Sequence, residues 1–274
     1  MENKIYNKSD EGYGSTESLK VVKKQPDFKA IQLLQSSKTA SVYLGLYEGQ
    51  KVVIKKMIRS EQSILEIQLA KAAYKLCPET TLPVLFCMKT NTTVTYIQPF
   101  YGMSLYDFMT TRKRPLTLAE AKKVFSQLAF TIYVLQKHGI YHLDIKEENL
   151  LIDPQDFSIK LIDFGCASKH NFITSPRGSP EFACPEMFGD LQENDISKFD
   201  VWSLGVMIFS SLTGNLPYES MQTVFEQGID YKVLKLVSKQ IRDCIFGCLQ
   251  VDYSQRYSIK DVMHSKFLRD MYDF

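Results

Sequence analysis

A carboxylate, an ammonium and an amide stand at short fixed spacings in His142-Leu143-Asp144-Ile145-Lys146-Glu147-Glu148-Asn149. A second carboxylate follows in Asp163-Phe164-Gly165. Together these groups suit the movement of a phosphoryl group onto a hydroxyl. Asp144 is the carboxylate expected to receive the hydroxyl proton. Asn149 and Asp163 offer the oxygen ligands that Mg²⁺, a hard cation, prefers. Lys146 is placed to steady charge on the phosphate in transit. Taken alone, Asp144 would more often be a turn or helix cap, and only the set of spaced partners raises it above that.

A second cation ends the apolar run Val52-Val53-Ile54-Lys55. A lysine closing a strand is ordinarily a solvated residue. Glu66 changes that reading, because it lies on the next helical segment, where a carboxylate could hold the lysine in place. Glu61 is a rival, but Glu66 sits within Ile64-Leu65-Glu66-Ile67-Gln68-Leu69 and its helix is better anchored.

These groups need two kinds of scaffold. From Phe28 to Gln98 the pattern is mostly strand-like. Ser41–Tyr47 and Lys51–Lys55 read as a hairpin turned at Glu48-Gly49-Gln50, and Thr93–Phe100 as a further strand. Ser63–Leu76 is helical in period and is ended by Pro78. Thr117-Leu118-Ala119-Glu120 is a capping box, in which hydroxyl and carboxylate each satisfy a free N–H at a helix start. That helix runs through Val124, Phe125, Leu128, Ile132 and Leu135 and stops at Gly139. The rest is mainly helical. The organisation is a two-lobed α+β chain: a flexible tail over 1–25, a β-rich lobe over 26–98, a connector over 99–102 and a helical lobe over 103–274. Nucleotide sites favour clefts between such lobes.

Composition sets the bounds. A chain of 274 residues that is 45% hydrophobic and 12% aromatic can bury a sizeable core. With 33 basic and 31 acidic residues the net charge is +2, which argues against a dedicated nucleic-acid binder. The six cysteines include no Cys-x-x-Cys pair, and Cys244 and Cys248 fall at helical spacing, as buried thiols do. A reducing intracellular compartment, cytoplasmic or nuclear, is expected. The longest apolar run, Val201–Leu212, is shorter than the roughly 20 residues of a membrane span and reads as a buried helix.

The motifs at Asp144–Asn149, Asp163–Gly165 and Lys55, with Gly178-Ser179-Pro180-Glu181-Phe182-Ala183-Cys184-Pro185-Glu186, resemble eukaryotic-type Ser/Thr protein kinases over residues 28 to 270. The loop sequences are similar to the Pim and calmodulin-kinase-like branch. The economy of the chain suits a viral or other minimal kinase. The resemblance implies ATP and Mg²⁺ as cofactors, Lys55 on the α- and β-phosphates with Glu66 holding it, Asp144 as base, Lys146 on the γ-phosphate, and Asn149 and Asp163 on metal. His142 and Phe164 become packing residues. For adenine it implies Ile97 as gatekeeper, the Gln98 C=O and Phe100 N–H as hydrogen-bonding groups, Val42 as a lid, and Val53 and Leu151 as the sandwich. The connector register is open by one residue. If it slips, Pro99, which has no N–H, replaces the donor.

The chain departs from the family at informative places. The phosphate-cradling loop has Gln35, Ser37 and Ala40 where glycines are expected, with Ser36, Ser37 and Thr39 as alternative hydroxyl donors. Weaker or differently shaped ATP binding is expected. Leu143 stands where an Arg would pair with a phosphorylated segment, so phosphorylation of Thr174 or Ser175 is not needed. Glu186 should pair with Arg256, and Asp200 should hold the catalytic-loop backbone. Protein substrates with Arg or Lys near the acceptor are implied by the acidic Glu147, Glu148 and Glu219, whose ordinary role would be as solvated carboxylates. A pseudokinase scaffold is the main alternative, favoured by the missing glycines. It is opposed by the complete set Lys55, Glu66, Asp144, Lys146, Asn149 and Asp163. A small-molecule kinase is the third reading. No membrane partner and no oligomeric state are implied.

Overall fold

Period-two patterning makes the first third of the chain a sheet, and the computed structural model describes it within residues 4–6, 28–189, 196–227, 229 and 232–272. The chain divides into two compact units, Met1–Tyr74 with Leu82–Phe100, and Lys75–Thr81 with Tyr101–Phe274.

In the first unit, strands β1 (Lys4–Tyr6), β2 (Phe28–Ser36), β3 (Ala40–Tyr47) and β4 (Gln50–Ile58) are followed by helix α1 (Glu61–Leu76), β5 (Phe86–Lys89) and β6 (Thr93–Pro99). They form an antiparallel sheet in the order β1-β5-β6-β4-β3-β2. The hairpin between β3 and β4 turns on two residues, because Tyr47 already pairs with Gln50. Glu48 and Gly49 both have positive φ, 50° and 78°. That is the turn whose twist matches the strands it joins.

Alternation along β4 and β6 gives the sheet two packed faces. Val52, Ile54, Phe86 and Ile97 lie on one, against Phe28, Tyr43 and Tyr47. Met57, Cys87, Val94 and Tyr96 lie on the other, covered by Ile67 of α1. Helix α1 starts at Glu61, earlier than the periodicity indicated, since Ser60 and Ser63 exchange side-chain-to-backbone bonds at its entry. The expectation of a flexible tail over 1–25 is corrected at Lys4–Tyr6, which pair with Cys87–Lys89 along the sheet edge. Residues 7–25 of that expected tail lie outside the described residues.

In the second unit a small sheet of β7 (Met103–Ser104), β8 (Leu150–Ile152) and β9 (Ile159–Leu161) is ordered β7-β8-β9. Helices α2 (Leu105–Arg112) and α3 (Leu118–Lys137) follow β7 in the chain. The capping box at Thr117 and Glu120 is present, and Gly139 has φ 69° just past the helix end. Further along come α4 (Phe199–Thr213), α5 (Met221–Gln227), α6 (Lys239–Cys248) and α7 (Ile259–His264). Helix α4 is the apolar run of the sequence and carries the centre of the core, with Trp202, Phe199 and Phe209 fully buried. Apolar on all sides, such a helix must be enclosed by others. Among the described residues no helix is long and apolar enough to cross a membrane. All six cysteines are free thiols, and Cys244 and Cys248 are buried.

Candidate active site

The loop from His142 to Asn149 is held from below by α4. Asp200, buried in its first turn, accepts the N–H of His142 at 2.9 Å and of Leu143 at 2.7 Å. Burial pushes the Asp200 carboxyl above its ordinary value, opposed by His142 and by these two N–H donors. The Asp144 N–H reaches the Nδ1 of His142 at 3.3 Å, and the Nε2 of His142 lies 3.0 Å from the Ile162 carbonyl. Its ring stands edge-on to Phe164, centroids 5.0 Å apart.

Asp144 is fixed by donors on both oxygens. Oδ2 accepts from Asn149 Nδ2 at 2.8 Å and lies 3.2 Å from Lys146 Nζ. Oδ1 accepts the Ser179 N–H at 2.8 Å. Lys146 in turn donates to the Ser179 hydroxyl at 2.6 Å. Ser179 was not singled out from the sequence. The signal was the glycine before it: Gly178 has φ 83°, and a Cβ there would lie 2.2 Å from the Leu143 carbonyl. Only glycine lets the segment come this close. Two non-glycine residues also take left-handed backbone here, Leu143 (φ 63°) and Asp163 (φ 62°). For an L-residue that costs about 1–2 kcal/mol, so the surrounding bonds must over-determine it.

The donor set suits a hard cation. Asn149 spends its amide hydrogens on the Asp144 carbonyl and carboxylate, which leaves its side-chain oxygen available to a cation. Asp163, whose Oδ1 accepts the Gly165 N–H at 3.1 Å, brings a carboxylate. Among the described residues no three His, Cys, Asp or Glu side chains cluster as a self-sufficient metal site.

In the first unit, Lys55 Nζ lies 2.8 Å from Glu66 Oε1, and Glu66 is buried. The same oxygen accepts the Tyr96 hydroxyl at 2.8 Å. Tyr96 pairs with Lys55 across β4 and β6, which is why it reaches this carboxylate. It was missed because cross-strand register is not visible in sequence. Glu61, the rival, is exposed in the first turn of α1. Val42 pairs with Lys55, and Val53 lies two residues before it, so all three share one face of the sheet.

Residues 28–268 match the model of the family described as protein kinase domain. The chain belongs to the protein kinase family. Over 273 residues it is 27% identical to the serine/threonine-protein kinase PSK2 of Saccharomyces cerevisiae, covering 92% of this chain and 24% of that protein. It is 35% identical over 166 residues to the serine/threonine-protein kinase chk1 of Schizosaccharomyces pombe, covering 54% of this chain and 32% of that one. The chain thus spans about a quarter to a third of the length of these curated relatives. The α+β fold of two lobes follows from membership.

Against the kinase pattern, the adenine-binding register is corrected. Ile97 points to the face opposite Lys55, into the cluster of Val52, Ile54 and Phe86, so it is not the gatekeeper. Gln98 pairs with Val53 and shares the lysine face, where its Nε2 donates to the Leu82 carbonyl at 3.2 Å. The Phe100 N–H is already given to the Lys51 carbonyl at 3.2 Å. With the Val53–Gln98 pairing, this turns the backbone groups of both Gln98 and Phe100 toward β4, so neither is the free group that the sequence suggested. Pro99 falls between hydrogen-bonded pairs, where a missing N–H costs nothing.

The glycine-free kinase loop between β2 and β3 closes on itself. The Ser37 N–H donates to the Ala40 carbonyl at 2.8 Å, and the Ser37 hydroxyl accepts the N–H groups of Thr39 and Ala40 at 3.3 and 3.1 Å. Ser36 and Ser41 hydroxyls bond at 3.1 Å. No residue of this loop has positive φ, so none of the three positions requires glycine. Of the hydroxyls expected to replace phosphate donors, those of Ser36 and Ser37 are instead used locally.

The supporting kinase pair is as expected: Arg256, fully buried, lies 2.7 Å from Glu186, with its guanidinium 4.9 Å from the Trp202 ring. Leu143 is buried, and Thr174 and Ser175 are exposed. Leu151 is half-buried in β8, paired with Ser104 and Lys160. Glu147 departs from the expected solvated carboxylate. It is buried against α4, bonded to the Ser210 hydroxyl and, at 3.4 Å, to that of Ser211. Burial pushes its carboxyl up to about 7, with the serine bonds opposing. A cavity of about 610 Å³ runs from Lys146 and Ser179 past Glu147, Glu148 and Glu181, and Glu219 is not in its wall.

Proposed function

We propose that the chain is an ATP-dependent serine/threonine protein kinase. The observation that carries this is the closed set of bonds joining Asp144, Lys146, Asn149 and Ser179. A scaffold has no use for a carboxylate aimed by an amide, an ammonium and a backbone N–H. In the proposed reaction the hydroxyl oxygen of a substrate Ser or Thr forms the new bond to the γ-phosphorus. The bond to the β-phosphate oxygen breaks, and the hydroxyl proton passes to Asp144. Lys146 bears part of the charge on the moving phosphoryl group. Lys55, aimed by Glu66, holds the α- and β-phosphates. Asn149 and Asp163 hold Mg²⁺, which when bound neutralises charge on the β- and γ-oxygens. Val42, Val53 and Leu151 supply apolar contact to adenine, and the Pro99 carbonyl is the acceptor in place of Gln98.

Two finer features belong to the same reading. Substrates carry Arg or Lys near the acceptor, received by Glu148 and Glu181 at the rim of the cavity beside Lys146; both are exposed carboxylates. Activity does not need a phosphate at Thr174 or Ser175, because Asp200, Ser179 and the buried Leu143 already hold the catalytic loop. The free thiols fit a reducing intracellular compartment.

The test is transfer of label from ATP with Mg²⁺ to an Arg-rich peptide, beside Asp144→Asn and beside an acidic peptide. Equal, negligible transfer by the wild type and variant refutes the enzyme reading. Equal use of both peptides refutes the basic preference alone.

A further inference from the structure

A second cavity, of about 590 Å³, lies in the helical unit, among α3, α7 and the turn at Arg269–Met271. Its size is that of a small-molecule site. Helical spacing builds it: Phe130 and Tyr133 stand on one stripe of α3, and Lys260, Met263 and His264 on one stripe of α7. Met271 closes the third side, and the Tyr272 hydroxyl fastens that turn by donating to the Ser126 carbonyl at 2.8 Å. Phe130, Met263 and Met271 make its apolar wall, and Phe130 and Met271 are 49% and 41% exposed, so among the described residues nothing fully covers them.

Two cations flank the Tyr133 wall of this cavity, Lys260 in its lining and Lys137 outside it. Lys260 Nζ lies 5.9 Å and Lys137 Nζ 5.1 Å from the centre of the Tyr133 ring. Neither ammonium lies within ion-pair distance of a carboxylate among the described residues, in contrast to Lys122, which reaches Asp270. The Lys137 ammonium holds the Tyr133 hydroxyl below its ordinary value, a sign of positive potential at that point. The lining elements are helical or turn-like, so they present no strand edge on which an extended peptide could pair.

We propose that this cavity binds a small amphiphilic carboxylic acid, its carboxylate at the Tyr133 hydroxyl between Lys260 and Lys137, and its tail against Phe130, Met263 and Met271. The polar groups at one end fix orientation, and the apolar walls carry most of the burial. No part of this depends on the kinase chemistry.

Isothermal titration of the full chain with dodecanoate tests it. Expected is saturable binding at one site, weakened at least about tenfold by Lys260→Glu and by Met271→Glu. Both side chains lie at the surface, so folding should survive, and an unchanged melting temperature would verify that. Dodecyltrimethylammonium, with the same length of tail and the opposite charge, and acetate, with the head alone, should not bind. Equal binding of the cationic probe, or binding unchanged in both variants, marks nonspecific uptake and overturns the proposal. So does the absence of saturable binding. An acidic amphipathic helical peptide that binds where dodecanoate does not would make the face a protein-docking surface and overturn it as well.

Discussion

The loop around Asp144 and the loop between β2 and β3 are both expected to handle phosphate, and they are built on opposite principles. The first is over-determined from outside: α4 supplies Asp200, the segment after Gly178 supplies Ser179, and Leu143 accepts left-handed backbone within it. The second is satisfied from inside, with the Ser37 hydroxyl taking the N–H groups of Thr39 and Ala40. Preorganised donors gain strength from being held by a surrounding structure. Donors already bonded within their own loop must first be released. If the chain is the kinase proposed above, the contrast assigns the chemistry to Asp144 and predicts that the loop at Ser37 is where ATP binding is weakest.

The largest expected effect is on the first side. Asp144→Asn keeps the size and the bond from Ser179 but removes the proton acceptor, and turnover should fall about 10²–10⁴-fold. A steady-state assay with little change in the KM for ATP would support this, and retention of most activity would break the comparison.

Next is the support beneath that loop. Arg256→Met strands the Glu186 carboxylate, which already has one buried oxygen without a hydrogen bond. The expected loss is about 3–5 kcal/mol in denaturant unfolding. A loss under about 1 kcal/mol would mean the pair is incidental.

Glu147 gives a pH-dependent test of smaller size. Its carboxyl is raised to about 7 in the fold from an ordinary 4.5. An acid raised on folding is favoured neutral, so its contribution is greatest below 4.5, declines as pH climbs from 4.5 to 7, and stays lost above that. Glu147→Gln should therefore match the wild type near pH 4.5 and exceed it by about 1–3 kcal/mol at pH 8. Equal stability at both pH values would show that the carboxylate is not penalised in place.

Smallest, and on the other side of the comparison, is Ser37→Gly. It frees the N–H groups of Thr39 and Ala40 and should lower the KM for ATP about threefold to tenfold, the equivalent of about 1 kcal/mol. A KM that is unchanged or raised would show that this loop does not limit nucleotide binding.

Much of this was legible before any coordinates. The Asp144–Asn149 and Asp163–Gly165 spacings, the capping box at Thr117 and the buried helix at Val201–Leu212 rest on local pattern, whereas Glu186 with Arg256 and Asp200 on the loop came from the family resemblance, and each of these contacts is present in the fold. What was not legible depends on which chain segment lies opposite which. Ser179 meets Asp144 only because Gly178 lets two loops touch. Tyr96 reaches Glu66 only through the register of β4 with β6. That register also moved Ile97 to the far face and occupied the Phe100 N–H. Glu147 looked like one of three comparable surface acids, with Glu148 and Glu219, until α4 buried it.

The sequence by itself determined which residue types stand at short spacing, and so which charges, amides and carboxylates fall within reach of one another along the Asp144–Asn149 loop. Tertiary structure alone decided orientation and environment: which face a strand residue takes, which N–H is already satisfied, and which carboxylate is out of water. Those follow from pairings between segments far apart in the chain, and a one-residue shift in such a pairing reverses the face of every side chain it carries.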